Sequence, residues 1–237
     1  KEYLGLSSGR VVVLSIGTYA GMLVSSYLWG WSSDRYGSKP VVLSGLYLML
    51  LLPLTWLLVP RESMLSFPLA MAVAFLGGLA GQGWSIGWSR YLFVTAVPPE
   101  KSSLYMPVHY AWSQLVAGAG PLIAGLILDS SGGLDGRLLI FQVSPHAPLF
   151  VLSLLLLLVG LAVVSRMRSE GDMSVGRFVS LFWRGNPLLA AESLLRYRRA
   201  GPEDRRMVST AQMGEARNPL NLHEMLEALA DPSLNVR

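Results

Sequence analysis

The stretch Gly30-Trp31-Ser32-Ser33-Asp34-Arg35-Tyr36-Gly37-Ser38-Lys39-Pro40 separates two long apolar runs, residues 11–29 and 41–59. Neither run holds an Asp, Glu, Lys or Arg. About 20 such residues are enough to cross the hydrocarbon core of a bilayer as a helix. Two spans joined by so short an interval lie side by side and antiparallel, with the glycine-punctuated turn at one membrane face. Arg35 and Lys39 put that face on the cytoplasmic side, where basic residues near span ends are retained.

The composition agrees with a bilayer environment. Of 237 residues, 52% are hydrophobic and 14% charged, against about 25% charged in soluble domains. Charge is concentrated at the end of the chain: residues 1–165 hold 8 Lys/Arg and 6 Asp/Glu, residues 166–237 hold 11 and 9. A net charge of +4 spread over loops and tail is no nucleic-acid footprint. The absence of cysteine excludes disulfides, thiol catalysis and cysteine metal sites within these residues. There is no phosphate-binding glycine loop, no paired-carboxylate site and no metal-ligand spacing. No enzyme, cofactor or metal is therefore expected.

Uncharged runs predict five spans, at residues 11–29, 41–59, 67–89, 104–128 and 148–165. The fold class is all-α, a polytopic membrane helical bundle followed by a cytoplasmic α-helical segment. The intervals alternate between faces. Residues 32–40, 90–103 and the tail from Arg166 lie on the more basic face, so the first span runs from outside to inside. With no initiator Met and no cleavable signal, the chain reads as a fragment of a longer protein.

The opening stretch carries a family resemblance. Gly30, Asp34, Arg35, Gly37 and Lys39 between two spanning helices are similar to the signature loop of the major facilitator superfamily of secondary transporters. Ser38 departs from the pattern, standing where a second basic residue is usual. The resemblance implies two six-helix halves, with this loop after the second helix of either half, so at least one helix lies upstream. Ala74 occupies the place of an Arg usual in the first half, which together with the tail favours helices eight to twelve over two to six. Gly118-Ala119-Gly120-Pro121-Leu122-Ile123-Ala124-Gly125 pulls the other way, being similar to a glycine–proline run of the fifth helix in antiporters.

The candidate gating residues are Gly30, Asp34, Arg35, Gly37, Lys39 and Arg90. The resemblance implies that the loop locks the cytoplasmic side in the outward-open state. Asp34 is suited to accept hydrogen bonds at the N-terminus of a neighbouring helix, where the dipole favours negative charge. Arg90 closes the third span and has Asp34 and Glu100 as possible acidic partners. The alternative is that Asp34 caps its turn and the cations set topology or snorkel to the interface.

The third span holds Gly77, Gly78, Gly81, Gly83 and Gly87; the pairs Gly77/Gly81 and Gly83/Gly87 are spaced for close helix approach. Polar and amphipathic groups in spans usually face the bundle interior, which makes Trp84, Trp88, His109, Trp112 and Gln114 the expected lining of a substrate cavity. The competing reading is an interfacial aromatic belt, with Gln114 bonded to another helix. No Asp or Glu lies inside any span. A coupling carboxylate, if the transporter is proton driven, would lie upstream.

Residues 166–186 read as a juxtamembrane linker, in which 175–183 is either an amphipathic element with Trp183 in the headgroup region or an ordinary linker helix packing on the next module. Residues 187–237 resemble HEAT-type helical repeats, truncated. A helix start at Gly201-Pro202-Glu203-Asp204 leads to an apolar face of Met207, Val208, Ala211 and Met213, ended by Gly214. Asn218-Pro219 opens another helix, with Leu222, Met225, Leu226 and Leu229, and Asp231-Pro232 opens a third.

The expected function is secondary active transport of a small molecule by alternating access, the tail serving regulation or a cytoplasmic protein partner. The alternative is a non-transporting, membrane-anchored scaffold or sensor. The expected surroundings are the lipid bilayer, of a bacterial inner membrane, with the tail in the cytoplasm.

Overall fold

The computed structural model describes residues 8–60, 63–133, 136–138, 141–143, 145–168, 173–183, 193, 197, 203–216 and 221–229. Two compact units divide the chain, residues 1–172 and 173–237.

The first unit contains five helices long and apolar enough to cross a membrane. They are α1 (Ser8–Tyr36), α2 (Ser38–Leu58), α3 (Ser66–Tyr91), α4 (Ser102–Ser130) and α5 (Ala147–Ser165). Each expected span is present, but most are longer than their uncharged cores. The largest difference is at the first turn. Residues 30–36 continue α1, and the break is Gly37 alone. Gly30 lies inside α1 and is a helical glycine rather than a turn, with nothing within 4 Å of the place where a Cβ would sit. Gly37 has φ 87°, a left-handed conformation open to glycine at little cost. Its N–H donates to the Ser33 carbonyl at 3.1 Å, closing α1, and α2 begins at once. Pro40 falls in the first turn of α2, where its missing N–H costs no helical bond.

α3 packs on both α1 and α2, and α5 packs on α2. Close approach is made by glycines, which let membrane helix backbones touch. Gly17 and Gly21 of α1 face Met71 and Phe75 of α3, and Gly78 faces the Thr18 carbonyl. On the other side, Gly45 of α2 meets Ala80, Gly83 and Trp84, and Gly87 meets Val42. Gly83/Gly87 is thus a close pair, whereas Gly77 and Gly81 have only Leu52 and Met49 side-chain carbons at 3.7–4.0 Å. The first crossing uses Gly78 instead, because α3 presents a different face to α1 than to α2.

Away from Gly37, Val59, Ala70 and Val73 form a small core with Leu14, Leu52, Trp56 and Phe67. The Ser66 hydroxyl fastens the α2–α3 connection, donating to the Pro60 carbonyl at 2.7 Å and accepting from the Ser63 N–H at 2.9 Å. α3 runs on into a π-helical turn, Leu92–Ala96, and a 3-10 turn, Pro99–Lys101, before α4. α4 has no buried residue. The fold is all-α as expected, with one short addition between α4 and α5. There an antiparallel hairpin pairs β1 (Gly136–Leu138) with β2 (Phe141–Val143), in the register Gly136↔Val143 and Leu138↔Phe141. Alternating apolar and polar residues in Arg137-Leu138 and Phe141-Gln142-Val143 suit a strand pair.

The second unit holds α6 (Val175–Trp183), α7 (Glu203–Ala216) and α8 (Leu222–Ala228). In α6 Phe178 is buried and Arg177 exposed; the side chain of Trp183 lies outside the described residues. α7 runs through Gly214 rather than ending there. Asn221, beside α8, donates through Nδ2 to Ser193 Oγ (3.3 Å) and the Met213 carbonyl (3.4 Å). These bonds turn Asn221, Glu224 and Ala228 inward and leave Leu222, Leu226 and Leu229 exposed. The helix expected from Asp231 lies outside the described residues.

Candidate functional site

The Gly37 end of the bundle is built by three consecutive helices. α1 and α3 run in the same direction and pack on each other, and α2 runs back antiparallel against α3, so the C-terminal turns of α1 and α3 meet the first turn of α2. Asp34 comes from the first, Arg90 from the second and Ser38 from the third. Arg90 Nε donates to Asp34 Oδ1 at 3.1 Å, and its Nη1 donates to Ser38 Oγ at 3.0 Å. One guanidinium thus buckles α3 to both sides of the Gly37 break. Its planar fork lets two different acceptors be held at once, which an ammonium on a flexible stem does less well. Asp34 takes its bond from the Arg90 side chain, and of the two acids weighed for Arg90 it is Asp34 that lies in reach.

Exposure sets the strength of this buckle. The Asp34 side chain is 79% exposed and that of Arg90 24%. An ion pair so open to solvent contributes about 0–1 kcal/mol. Ser38, by contrast, is fully buried. A long cation in its place would have to be accommodated beside Arg90, so the small hydroxyl at the departure from the family pattern is matched by a local bond.

Lys39 reaches elsewhere. Its Nζ donates to the Met167 carbonyl at 2.7 Å, just past the end of α5. A cation there completes an unpaired terminal carbonyl and complements the negative end of the helix dipole. Arg35 lies over its own helix: the guanidinium is 5.5 Å from the Trp31 ring centroid and 5.9 Å from that of Tyr36. Trp31 and Tyr36 meet edge to face at 5.7 Å. Trp31 Nε1 and the hydroxyls of Ser32, Ser33 and Ser44 are buried and have no hydrogen-bond partner.

Above this end lies an aromatic ladder. Trp84 and Trp88 stack at 5.3 Å with planes 8° apart, one helical turn separating them, and Tyr91 continues the stack at 6.2 Å from Trp88. His109 of α4 stands 6.3 Å from Trp88. The structure therefore brings Trp84, Trp88 and His109 together. Trp112 and Gln114 are exposed on α4, outside that cluster. Trp29, not singled out from the sequence, anchors the ladder's helix: its Nε1 donates to the Leu79 carbonyl at 2.9 Å, and its ring fills the space above Gly83. The signal for it was the spacing of Gly83 across from a tryptophan-ended span.

Among the described residues, no group of three or more His, Asp or Glu side chains is placed to hold a metal ion. What the Gly37 end holds is a one-residue break between two helices, a solvent-exposed ion pair and a buried hydroxyl. No curated protein and no solved structure gives a match to this chain. Residues 1–200 match the family model described as the Major Facilitator Superfamily. The match takes in all five spans and the Gly37 turn, and by it the chain belongs to the major facilitator superfamily, integral membrane transporters of small molecules.

Proposed function

We propose that this chain supplies one wall and the cytoplasmic closure of a secondary active transporter that works by alternating access. Transport in such folds proceeds by rocking of one helical half against the other around a central site. The observation that carries the reading is the Arg90 bridge to Asp34 and Ser38 across Gly37. A closure that opens in every cycle has to be specific in geometry and small in energy. A guanidinium with two acceptors supplies the first, and the exposure of Asp34 supplies the second. The unpaired hydroxyls of Ser32, Ser33 and Ser44 act in the same direction, since each gains hydration when the end opens.

In this reading the Gly37 end faces the cytoplasm of a bacterial cell, following the basic residues at the ends of the spans. The helices correspond to eight to twelve of the family's twelve, α1 preceding the turn as helix eight. Trp84, Trp88 and His109 face the substrate path, and the second unit is a HEAT-like module that binds a cytoplasmic partner or regulates the closure. Sequencing the gene on both sides tests the numbering: seven spans upstream agree with it, and six spans downstream overturn it.

Flux through the full-length protein in proteoliposomes, wild type against Asp34→Ala, tests the function. Solute movement that Asp34→Ala slows is the expected result. Absence of flux for every solute class tried, with partner binding by the tail intact, would replace transport by a scaffold role.

A further inference from the structure

Where the first turn of α2 meets the end of α5, three cations gather. Lys39 is half-buried, and its ammonium uses one of three N–H donors on the Met167 carbonyl. Arg166 and Arg168 flank Met167 and are exposed. Among the described residues, no carboxylate lies within ion-pair reach of these three side chains. Asp34 is held by Arg90, and Glu100 pairs with none of them. Glu170 and Asp172, the next acids along the chain, lie outside the described residues.

The two helix ends leave this charge positive. α2 starts with no acid in its first turn and no side-chain cap, so the positive end of its dipole adds to the cations. The negative end of α5 is muted: the Val163 and Val164 carbonyls accept from the Arg166 and Met167 amides, and the Met167 carbonyl accepts from Lys39. Ser165 is the last residue of α5, so the cations stand at the headgroup level. Below them Leu155, Val159 and Val163 are exposed at successive turns of α5, and Arg166 continues that face. From Leu155 to Arg166 the stripe follows roughly 16 Å of helix.

We infer that Lys39, Arg166 and Arg168 bind the phosphate of an anionic phospholipid in the leaflet at the Gly37 end, with an acyl chain lying along the exposed stripe of α5. A half-buried ammonium with unused donors is stabilised by an anion, and a guanidinium offers a phosphate two parallel N–H donors. Basic clusters at span borders recognise lipid head groups in this way. A zwitterionic head group would bring a further cation to a site that already holds three, so an anionic lipid is preferred. A free phosphate meets the same cations but gains nothing from the apolar stripe. The inference rests neither on transport nor on the gating role proposed above.

The test is lipid retention by the full-length protein, incubated with equal phosphatidylglycerol and phosphatidylcholine and read by native mass spectrometry. Wild type retains phosphatidylglycerol in preference, and an excess of glycerol phosphate does not displace it. Each cation near a membrane surface is worth roughly fivefold in binding an anionic lipid, so the double variant Arg166→Gln/Arg168→Gln loses most of the preference. Lys101→Gln, which removes an exposed cation elsewhere at the same end of the bundle, keeps it. Helical content and monodispersity are unchanged in both variants. Equal retention of the two lipids by wild type, the outcome if Glu170 and Asp172 neutralise the cluster, overturns the inference. So does displacement by glycerol phosphate, wild-type behaviour in the double variant, or an equal loss in Lys101→Gln.

Discussion

Replacing Gly45 and Gly77 by alanine, separately, asks whether the glycines hold α2 and α3 together in the register described. A Cβ on Gly45 would stand 2.6 Å from the Trp84 amide nitrogen and 3.0 Å from the Ala80 carbonyl oxygen. Both are backbone atoms inside a helix and have no rotamer to adopt. To restore ordinary contact near 3.4 Å, α2 must retreat by roughly 0.8 Å along the crossing. Overpacking of that kind costs about 1–3 kcal/mol. The better helix propensity of alanine returns about 1 kcal/mol of it. A Cβ on Gly77 would instead meet Leu52 methyl groups at 3.7 and 4.0 Å, an ordinary contact. Gly77→Ala therefore gains packing and propensity, about 0.5–1 kcal/mol. Each kcal/mol moves the midpoint of a chain this size by roughly 2–4 °C. Thermal unfolding of the full-length protein in lipid nanodiscs should thus place Gly45→Ala several degrees below wild type and Gly77→Ala at or slightly above it. A Gly77→Ala variant as damaged as Gly45→Ala would refute the packing register.

Three further outcomes follow from the same geometry. Lys39→Met removes the bond to the Met167 carbonyl, and hydrogen exchange should rise at the Arg166 and Met167 amides, which close the last turn of α5; Lys39→Arg keeps a cation there and should restore protection. Ser38→Lys restores the family's usual basic residue but forces a second cation into a buried position next to Arg90. It should lower the melting midpoint, whereas Ser38→Ala, which loses one hydrogen bond, costs about 0.5–1.5 kcal/mol. Trp29→Phe removes the bond to the Leu79 carbonyl from a side chain 5% exposed. Its expected cost, again about 1 kcal/mol, is read by the same unfolding assay.

The spans were legible because lipid imposes a one-dimensional rule: a helix crossing it shows as an uninterrupted apolar run. Ends were less legible. Gly30, Ser32 and Ser33 look like turn residues in water, but in α1 they continue the helix, and only the left-handed Gly37 stops it. The charged residues of the Gly37 end could be singled out, since a charge at a span border stands out against an apolar background. Their partners could not. That Arg90 takes Asp34 and Ser38, and that Lys39 turns to Met167, depends on α1 and α3 ending side by side and on α5 lying against α2. Glycine spacing marked Gly83/Gly87 correctly but not Gly78, because a glycine run permits several registers and only the partner helix selects one. In the tail, the inward face of α8 could not be read from its leucines, because Asn221, bonded to Ser193 and Met213, is buried with Glu224 and Ala228 while Leu222, Leu226 and Leu229 are exposed.

The account turns on the Gly37 buckle being a closure that breaks easily. A single cysteine in place of His109, which stands beside Trp88 on the proposed substrate path, reports access to that path when the full-length protein is treated from the cytoplasmic face with a membrane-impermeant thiol reagent. An ion pair contributing up to about 1 kcal/mol corresponds to a shift of up to about fivefold in the open fraction. In the Asp34→Asn background the reaction should accordingly quicken by a few-fold from the cytoplasmic face and slow from the other. An unchanged rate from both faces, or a faster reaction only from the outside, would contradict it.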